Sequence, residues 1–327
     1  MEEDPVKDKY KKSWIVGIIA LIGFIILPFL AEGYWIRVIT SIFMYAIITA
    51  ALNIIAGFAG YAAFGNIVFF GIGAYTTAML MLRVEVYWWA GVIIGGFFAA
   101  IYATLLGIPI LRLRGHYFAI ATLGINRATE QIVLDWGSFT GGGKGITLPL
   151  PQMEIQTFYA MIYFIMFGLL LFTVLVNYFI AKSRLGYALR AIRENEDAAE
   201  ASGIFAPRCK IIAWAISAFI TGVTGGVFAY WFSFIEPATV FDIMIAVKAF
   251  VMMMLGGAGT VLGPVFGAFL IELISETIWG KFLTIHMLIL GIIMVAIVIV
   301  IPRGILELFR KKFSLAALWR NIKNQAV

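Results

Sequence analysis

The chain has 327 residues, of which 62% are apolar and only 13% charged, and its net charge is +6. Soluble domains carry about a quarter charged residues, so this composition excludes a soluble globular protein and indicates an integral membrane protein. The single cysteine, Cys209, excludes an internal disulfide framework.

Apolar runs near or above the length needed to cross a bilayer recur along the whole chain. In chain order they are Trp14–Leu30, Ile36–Ala56, Ala62–Leu82, Trp88–Leu111, Tyr117–Leu134, Phe158–Ile180, Ile211–Phe232, Phe241–Leu255, Leu262–Ile278 and Leu283–Ile301. They predict an all-α integral membrane protein, a polytopic bundle of about 8–10 transmembrane helices. The membrane domain spans 14–302, between an N-terminal tail, 1–13, and a basic C-terminal tail, 303–327.

The distribution of Lys and Arg predicts the orientation of these segments. Cations cluster in the N-terminal tail, in the loop 181–210 and in the C-terminal tail. Even numbers of segments separate the three clusters, so all of them lie on one side, which we expect to be the cytoplasm of a multi-pass protein in the cell (inner or plasma) membrane. The first segment ends in Phe29-Leu30-Ala31, a poor signal-peptidase site, and is interpreted as a retained signal-anchor.

Two segments are rich in glycine, 57–75 and 255–268. Glycine in a membrane permits close helix approach, and it also permits breaks at which backbone groups face a cavity. Paired breaks in two halves of a chain are typical of a transport pathway. Both interpretations stay open, and either segment could be a re-entrant pair.

Polar residues inside apolar runs are functional candidates, because burying them in a membrane costs free energy. Arg127 and Glu130 lie three residues apart and can pair on one helix face. Such a pair could face a zwitterionic solute, or its members could simply neutralise each other. The candidate pathway residues are Asn66, Asn126, Arg127, Glu130, Lys248 and Glu272. No metal site is expected, since His116 and His286 lie far apart at segment ends.

The loop Thr140-Gly141-Gly142-Gly143-Lys144-Gly145 resembles a phosphate-binding loop only superficially. A P-loop has Ser or Thr after the lysine, and here Gly145 follows Lys144. No nucleotide site, bound cofactor or catalytic constellation is therefore expected in this chain. If transport is driven by ATP, the hydrolysis belongs to a separate subunit.

The charged stretch 183–203 predicts a short amphipathic helix at the membrane surface, ended by Gly203. Asp197-Ala198-Ala199, three residues and Gly203 resemble the EAA motif through which bacterial ABC importer permeases contact their ATPases. Small alanines would keep one face flat, and charges would set its register. The alternative is an ordinary solvated loop helix. The candidate ATPase-coupling residues are Arg184, Gly186, Arg190, Arg193, Glu194, Asp197, Ala198, Ala199 and Gly203.

Further motifs stand in a recognisable order around this stretch. They are Gly60 to Tyr75, Leu-Arg-Leu-Arg-Gly-His-Tyr-Phe at 111–118, Thr-Gly-Gly-Gly-Lys-Gly-Ile at 140–146, Ser-Arg-Leu-Gly-Tyr-Ala-Leu-Arg at 183–190, Leu-Gly-Gly-Ala-Gly-Thr at 255–260 and Pro-Arg-Gly-Ile at 302–305. Together they resemble the M-type permease subunit of branched-chain amino acid ABC transporters. His116 and Ala63 depart from residues common in that family.

The resemblance implies one half of an importer's pore. Its partners would be a second, H-type permease, two ATP-binding subunits and an extracytoplasmic solute-binding protein, with no nucleic acid involved. The solute would be a branched-chain or other hydrophobic amino acid, and urea or a short amide is the alternative. An ion-coupled secondary transporter, working through the buried charges alone, is the competing hypothesis. A membrane-embedded enzyme would need a catalytic constellation, which this sequence lacks.

Overall fold

A computed structural model of the chain describes residues 23–28, 33–149, 153–281 and 291. Most of the predicted first segment, Trp14–Leu30, nearly all of the tenth, Leu283–Ile301, and both tails, 1–13 and 303–327, lie outside the described residues. Within the described ranges the chain is almost entirely helical.

Residues 23–28 are helical, and ten further helices longer than one turn follow in chain order among the described residues. They are α1 Gly33–Leu52, α2 Val68–Arg83, α3 Trp88–Ile110, α4 Gly115–Asp135, α5 Ile155–Lys182, α6 Arg184–Glu194, α7 Glu196–Ala201, α8 Ala206–Phe232, α9 Ile243–Gly256 and α10 Gly263–Lys281. A π-turn, Asn53–Gly57, continues α1, and a 3₁₀ turn, Phe64–Ile67, leads into α2. The strands β1, Ile146–Thr147, and β2, Phe234–Ile235, form one short antiparallel pair.

Within the part of the chain that the structure describes, six helical segments are long and apolar enough to cross a membrane, which confirms the predicted all-α polytopic fold. They are Gly33–Gly57, Phe64–Arg83, Trp88–Ile110, Ile155–Lys182, Ala206–Phe232 and Pro237–Gly256. The predicted fifth and ninth segments are also helices, α4 and α10, but their more polar composition keeps them outside these six.

The predicted eighth segment, Phe241–Leu255, is a broken element. Its main helix, α9, has 14 residues, about 21 Å, which is less than the ~30 Å of a bilayer's hydrocarbon core. A one-turn helix, Pro237–Val240, precedes it, and the two together reach the length of a span. Phe241, at the junction, is fully buried.

The two ends of the bundle are formed by different secondary-structure elements. At the end called here the α6 end, α5 finishes at Lys182, α8 begins at Ala206, and the short helices α6 and α7 lie between them. At the β end lies the β1–β2 pair, which joins the loop before α5 to the loop after α8.

Helix α8 lies at the centre, packed against α2 and α3 through glycines. A Cβ added to Gly73 of α2 would lie 1.9 Å from the carbonyl oxygen of Gly222 in α8, and one added to Gly225 would lie 2.0 Å from that of Phe70. Small residues thus bring these backbones together, as is common between membrane helices. On the far side of α3, large apolar side chains such as Phe97, Ile101 and Leu105 are exposed, as expected for a surface in contact with lipid.

We expect Gly73→Ala to destabilise the protein by about 1–3 kcal/mol, because the added methyl group overpacks the α2–α8 contact. The matched control is Gly168→Ala in α5, where an added Cβ meets nothing within 4 Å. Thermal unfolding in detergent should show a lower midpoint for Gly73→Ala, and an unchanged or higher one for Gly168→Ala. Equal midpoints for the two variants would contradict the packing described here.

Candidate functional site

Helix α6 lies against the bundle through one apolar face. Leu189 and Ile192 are buried, whereas Arg184, Tyr187 and Glu194 are exposed. Ser183 caps the helix by accepting a hydrogen bond from the backbone N–H of Gly186 at 3.2 Å. Gly186 has no room for a side chain, since an added Cβ would lie 2.0 Å from the carbonyl oxygen of Ile180.

The charged stretch forms two helices, so the prediction of a single helix over 183–203 is wrong. Asn195, in extended conformation, ends α6 and caps α7 by accepting a hydrogen bond from the N–H of Ala198 at 3.0 Å. A side chain that competes for backbone hydrogen bonds favours such a break. Gly203 follows the end of α7 with φ +87°, the left-handed conformation that glycine adopts at helix ends.

Most of the predicted coupling set is exposed on this helix pair. The exposed residues are Arg184, Arg190, Arg193, Glu194, Asp197, Ala198 and Gly203. Ala199 is buried and Gly186 faces α5. The guanidinium groups of Arg193 and Arg190 donate to backbone carbonyl oxygens of Gly57 and Ala181. The coupling role of these residues stays a prediction.

A buried ion pair attaches α7 to the bundle. Lys210 of α8, only 1% exposed, places Nζ 2.6 Å from Oε1 of Glu196. The same ammonium group donates to Tyr61 Oη at 2.9 Å and to the carbonyl oxygen of Leu111 at 2.8 Å. Tyr61 Oη in turn donates to Glu196. Burial raises the pKa of Tyr61, and the hydrogen bond to Glu196 raises this pKa further, so the phenol stays a donor.

Arg114 completes this cluster from the turn between α3 and α4. Its Nη1 lies 2.8 Å from Oδ1 of Asp197, and its Nε lies 3.5 Å from Oε2 of Glu196. The hydrogen bond to Asp197 raises the pKa of Arg114. Sequence reasoning missed this site, because it takes the charges of 183–203 as parts of a docking face and the cations of the loop 181–210 as markers of orientation. The charge of Lys210 at the entrance of an apolar run was the available signal.

We expect Lys210→Met to lower the free energy of unfolding by about 3 kcal/mol, because it removes the nearer of the two cations beside the largely buried Glu196 and leaves only Arg114, at 3.5 Å. The control is Arg208→Met, which removes an exposed cation two residues away and should change stability by less than about 0.5 kcal/mol. Unfolding of both variants in mixed micelles checks this difference. Adding Glu196→Gln to Lys210→Met should restore part of the loss, and a loss that stays undiminished in the double variant would contradict the account.

The two glycine-rich segments meet at the α6 end. Asn53, fully buried, donates from Nδ2 to the carbonyl oxygen of Thr260 at 2.9 Å, and its Oδ1 accepts from the N–H of Gly259 at 2.8 Å. A Cβ on Gly57 would lie 2.7 Å from the nitrogen of Gly259. Asn53 also donates to Oδ1 of Asn177 in α5 at 3.2 Å. Close backbone approach therefore occurs at both segments, and each contains a helix break.

The candidate pathway residues occupy three places. Asn66 joins α2 to α8: Nδ2 donates to Ser217 and Thr221, and Oδ1 accepts from the indole N–H of Trp214. Lys248 of α9 places Nζ 2.5 Å from Oε2 of Glu272 in α10. These side chains are directed into the bundle.

The third place is α4. Arg127 pairs with Glu130 at 2.6 Å, yet the Arg127 side chain is 62% exposed and that of Glu130 only 12%. Asn126 is fully buried and donates to the carbonyl oxygen of Phe241 at 2.8 Å, where α9 is broken. Arg127 continues an exposed stripe along α4, formed by His116, Ile120, Gly124, Arg127 and Gln131. The pairing predicted for Arg127 and Glu130 is present, and the pathway role stays a prediction.

Among the described residues, no group of three or more His, Cys, Asp or Glu side chains could hold a metal ion. Lys144 lies in a 3₁₀ turn, Gly142–Lys144, that is followed by β1 rather than by a helix. This loop therefore lacks the helix N-terminus that a P-loop provides for phosphate.

Comparison with known proteins shows the family to which the chain is similar. The family described as branched-chain amino acid transport system / permease component matches residues 34–298. The high-affinity branched-chain amino acid transport system permease protein LivM of Escherichia coli (strain K12) is 31% identical over 333 residues, covering 93% of this chain and 77% of LivM.

Two further relatives are more distant. The high-affinity branched-chain amino acid transport system permease protein LivH of Escherichia coli (strain K12) is 25% identical over 292 residues, covering 80% of this chain and 91% of LivH. The autoinducer 2 import system permease protein LsrC of Salmonella paratyphi B (strain ATCC BAA-1250 / SPB7) is 29% identical over 192 residues, covering 57% of this chain and 52% of LsrC. No solved structure matches this chain significantly.

Proposed function

Because the chain belongs to the branched-chain amino acid transport permease family, we propose that α6 and α7 form the surface through which an ATP-hydrolysing subunit drives solute across the membrane. The chain itself is a permease subunit of an ABC importer and not an enzyme. It needs no cofactor of its own under this proposal, and ATP is used by the partner subunits.

The exposed face of the α6–α7 pair carries the proposal. In a chain that is mostly apolar, this face presents Arg184, Glu194, Asp197 and Ala198 to the outside. Ala198 leaves a flat position between charges of both signs, which suits a protein surface of complementary charge. The buried Glu196–Lys210 pair and the apolar face of α6 hold the surface firmly on the bundle.

The positive-inside rule supports a cytoplasmic location for the α6 end, where ATP is available, and the same rule predicts cytoplasmic N- and C-terminal tails. The β end then faces outward and would receive solute from an extracytoplasmic binding protein. We propose that the solute is a branched-chain or other hydrophobic amino acid, because the family description and the name of LivM both specify branched-chain amino acid transport. The name of LsrC shows that a related permease serves a different solute.

A second permease subunit would cover the exposed stripe of α4. An arginine facing lipid near the middle of a helix costs roughly 2.5–3.5 kcal/mol, so Arg127 is better placed against protein or a water-filled pathway. Arg127 lies about halfway along α4, counted from Gly115 to Asp135. The solute would pass between this stripe and the second permease, where the Arg127–Glu130 pair would offer both charges to a zwitterionic solute.

We expect Glu194→Arg to weaken association with the ATP-binding subunits at least tenfold, about 1.4 kcal/mol, because it reverses an exposed charge on the docking face. An arginine at this last position of α6 is compatible with the helix dipole, so folding should be retained. Binding to the purified ATP-binding subunits, measured in detergent by interferometry, checks the affinity.

The matched control is Glu85→Arg, the same charge reversal at an exposed position at the β end. Its affinity for the ATP-binding subunits should equal that of the unmodified chain. Equal affinities for Glu194→Arg and Glu85→Arg would contradict the placement of the docking surface on α6 and α7.

A further inference from the structure

Arg193 stands apart from the other charged side chains of α6, because it reaches from the docking helix into the bundle. Its Nη1 donates to the carbonyl oxygen of Gly57 at 2.7 Å. Gly57 is the last residue of the π-turn that ends the segment Gly33–Gly57, so this carbonyl has no continuing helix to bond to.

Glycines surround the Arg193 side chain on both sides. A Cβ on Gly60 would lie 3.0 Å from Cγ of Arg193, and a Cβ on Gly259 would lie 2.9 Å from its Nη1. Gly60 and Gly259 have φ of +76° and +80°, so both backbone conformations and the space beside the arginine favour glycine. The two glycine-rich segments thus form one cradle around the Arg193 side chain, with Gly60 beside its Cγ and Gly259 beside its Nη1.

The cradle belongs to two separate parts of the bundle. Gly57 and Gly60 follow α1, and Gly259 lies between α9 and α10. Asn53 joins the two parts by bonding to Gly259 and Thr260. A displacement of α6 that carries Arg193 therefore acts on the ends of α1 and α9 together.

We propose that Arg193 is the positioning residue that transmits movement of the docking helix to the two glycine breaks, and that the contact stays closed throughout the transport cycle. This inference rests on the proposed function, since it assumes that α6 meets an ATP-hydrolysing subunit. Glu196 also reaches the first glycine break, because it bonds to Tyr61 beside Gly60 as well as to Lys210 of α8. Arg190 bonds to the end of α5. Among these attachments, the Arg193 side chain is the one that contacts both glycine breaks.

The first test measures ATP hydrolysed per leucine transported, in proteoliposomes that contain the whole assembly. Arg193→Met should raise this ratio about tenfold, because the charge-assisted bond to Gly57 is lost. Arg193→Lys, which keeps a cation of similar reach, should restore part of the coupling. Arg208→Met, the loss of an exposed cation outside the cradle, should leave the ratio unchanged.

A purely structural role for Arg193 would give another result. In that case Arg193→Met would lower the melting temperature and reduce hydrolysis and transport in proportion, so an unchanged ratio overturns the inference. The proposed function itself fails in a different way: the unmodified assembly would show no ATP-driven uptake. Failure of this inference alone would leave that uptake intact and give Arg193→Met the same ratio of ATP hydrolysed to leucine transported as the unmodified assembly.

A covalent version of the contact tests whether it stays closed. The Cβ position on Gly60 lies 3.6 Å from Cβ of Arg193, within the roughly 3.5–4.5 Å that a disulfide requires. The double variant Gly60→Cys, Arg193→Cys is made in a Cys209→Ser background. When this variant is reduced, it should hydrolyse more ATP per leucine transported than the unmodified assembly, and oxidation to the disulfide should lower this ratio again. Gly60→Cys with Arg193 retained controls for backbone strain. Oxidation that stops transport, or leaves the ratio unchanged, would overturn the inference.

Discussion

Broken helices inside a membrane protein leave carbonyl groups without intrahelical partners, and satisfying these groups is the constraint on which the α6 end depends. Each unsatisfied group in an apolar environment costs several kcal/mol. Here donor side chains bind four such oxygens. Arg193 binds that of Gly57, Lys210 that of Leu111, Arg190 that of Ala181 and Asn53 that of Thr260.

Three of these four donors are cations, and they bind where helices end. Cations are stabilised at helix C-termini by the helix dipole as well as by hydrogen bonds. The ends of α3 and α5 and the π-turn after α1 are therefore fastened to the layer formed by α6, α7 and the start of α8. Under the proposed function, this arrangement would connect the docking surface for the ATP-hydrolysing subunit directly to the ends of membrane-spanning helices.

Long apolar runs made the membrane architecture predictable. The segments predicted at Trp88–Leu111 and Phe158–Ile180 differ by only a few residues from the helices Trp88–Ile110 and Ile155–Lys182, because length and hydropathy alone decide such elements. Gly203 as a helix terminator was also predictable, since few other residues adopt positive φ at low cost.

The inward contacts of the charged stretch were not predictable. Glu196 and Asp197 are neighbours of like charge, yet Glu196 is bonded to the buried Lys210 whereas Asp197 is exposed. Their directions depend on where Asn195 breaks the helix, and a capping asparagine and a helix-interior asparagine look alike in sequence. The same limit applies to Arg193, whose partner is a backbone carbonyl 136 positions away.

The energy source for uptake tests the central claim most directly. Proteoliposomes containing this chain, a second permease, the ATP-binding subunits and the solute-binding protein would be loaded with ATP, with all ion gradients collapsed by ionophores. Uptake of labelled leucine should then require ATP hydrolysis and all four components. Uptake that needs only this chain and an ion gradient would contradict the account, and would identify the buried charges of α9 and α10 as coupling sites instead.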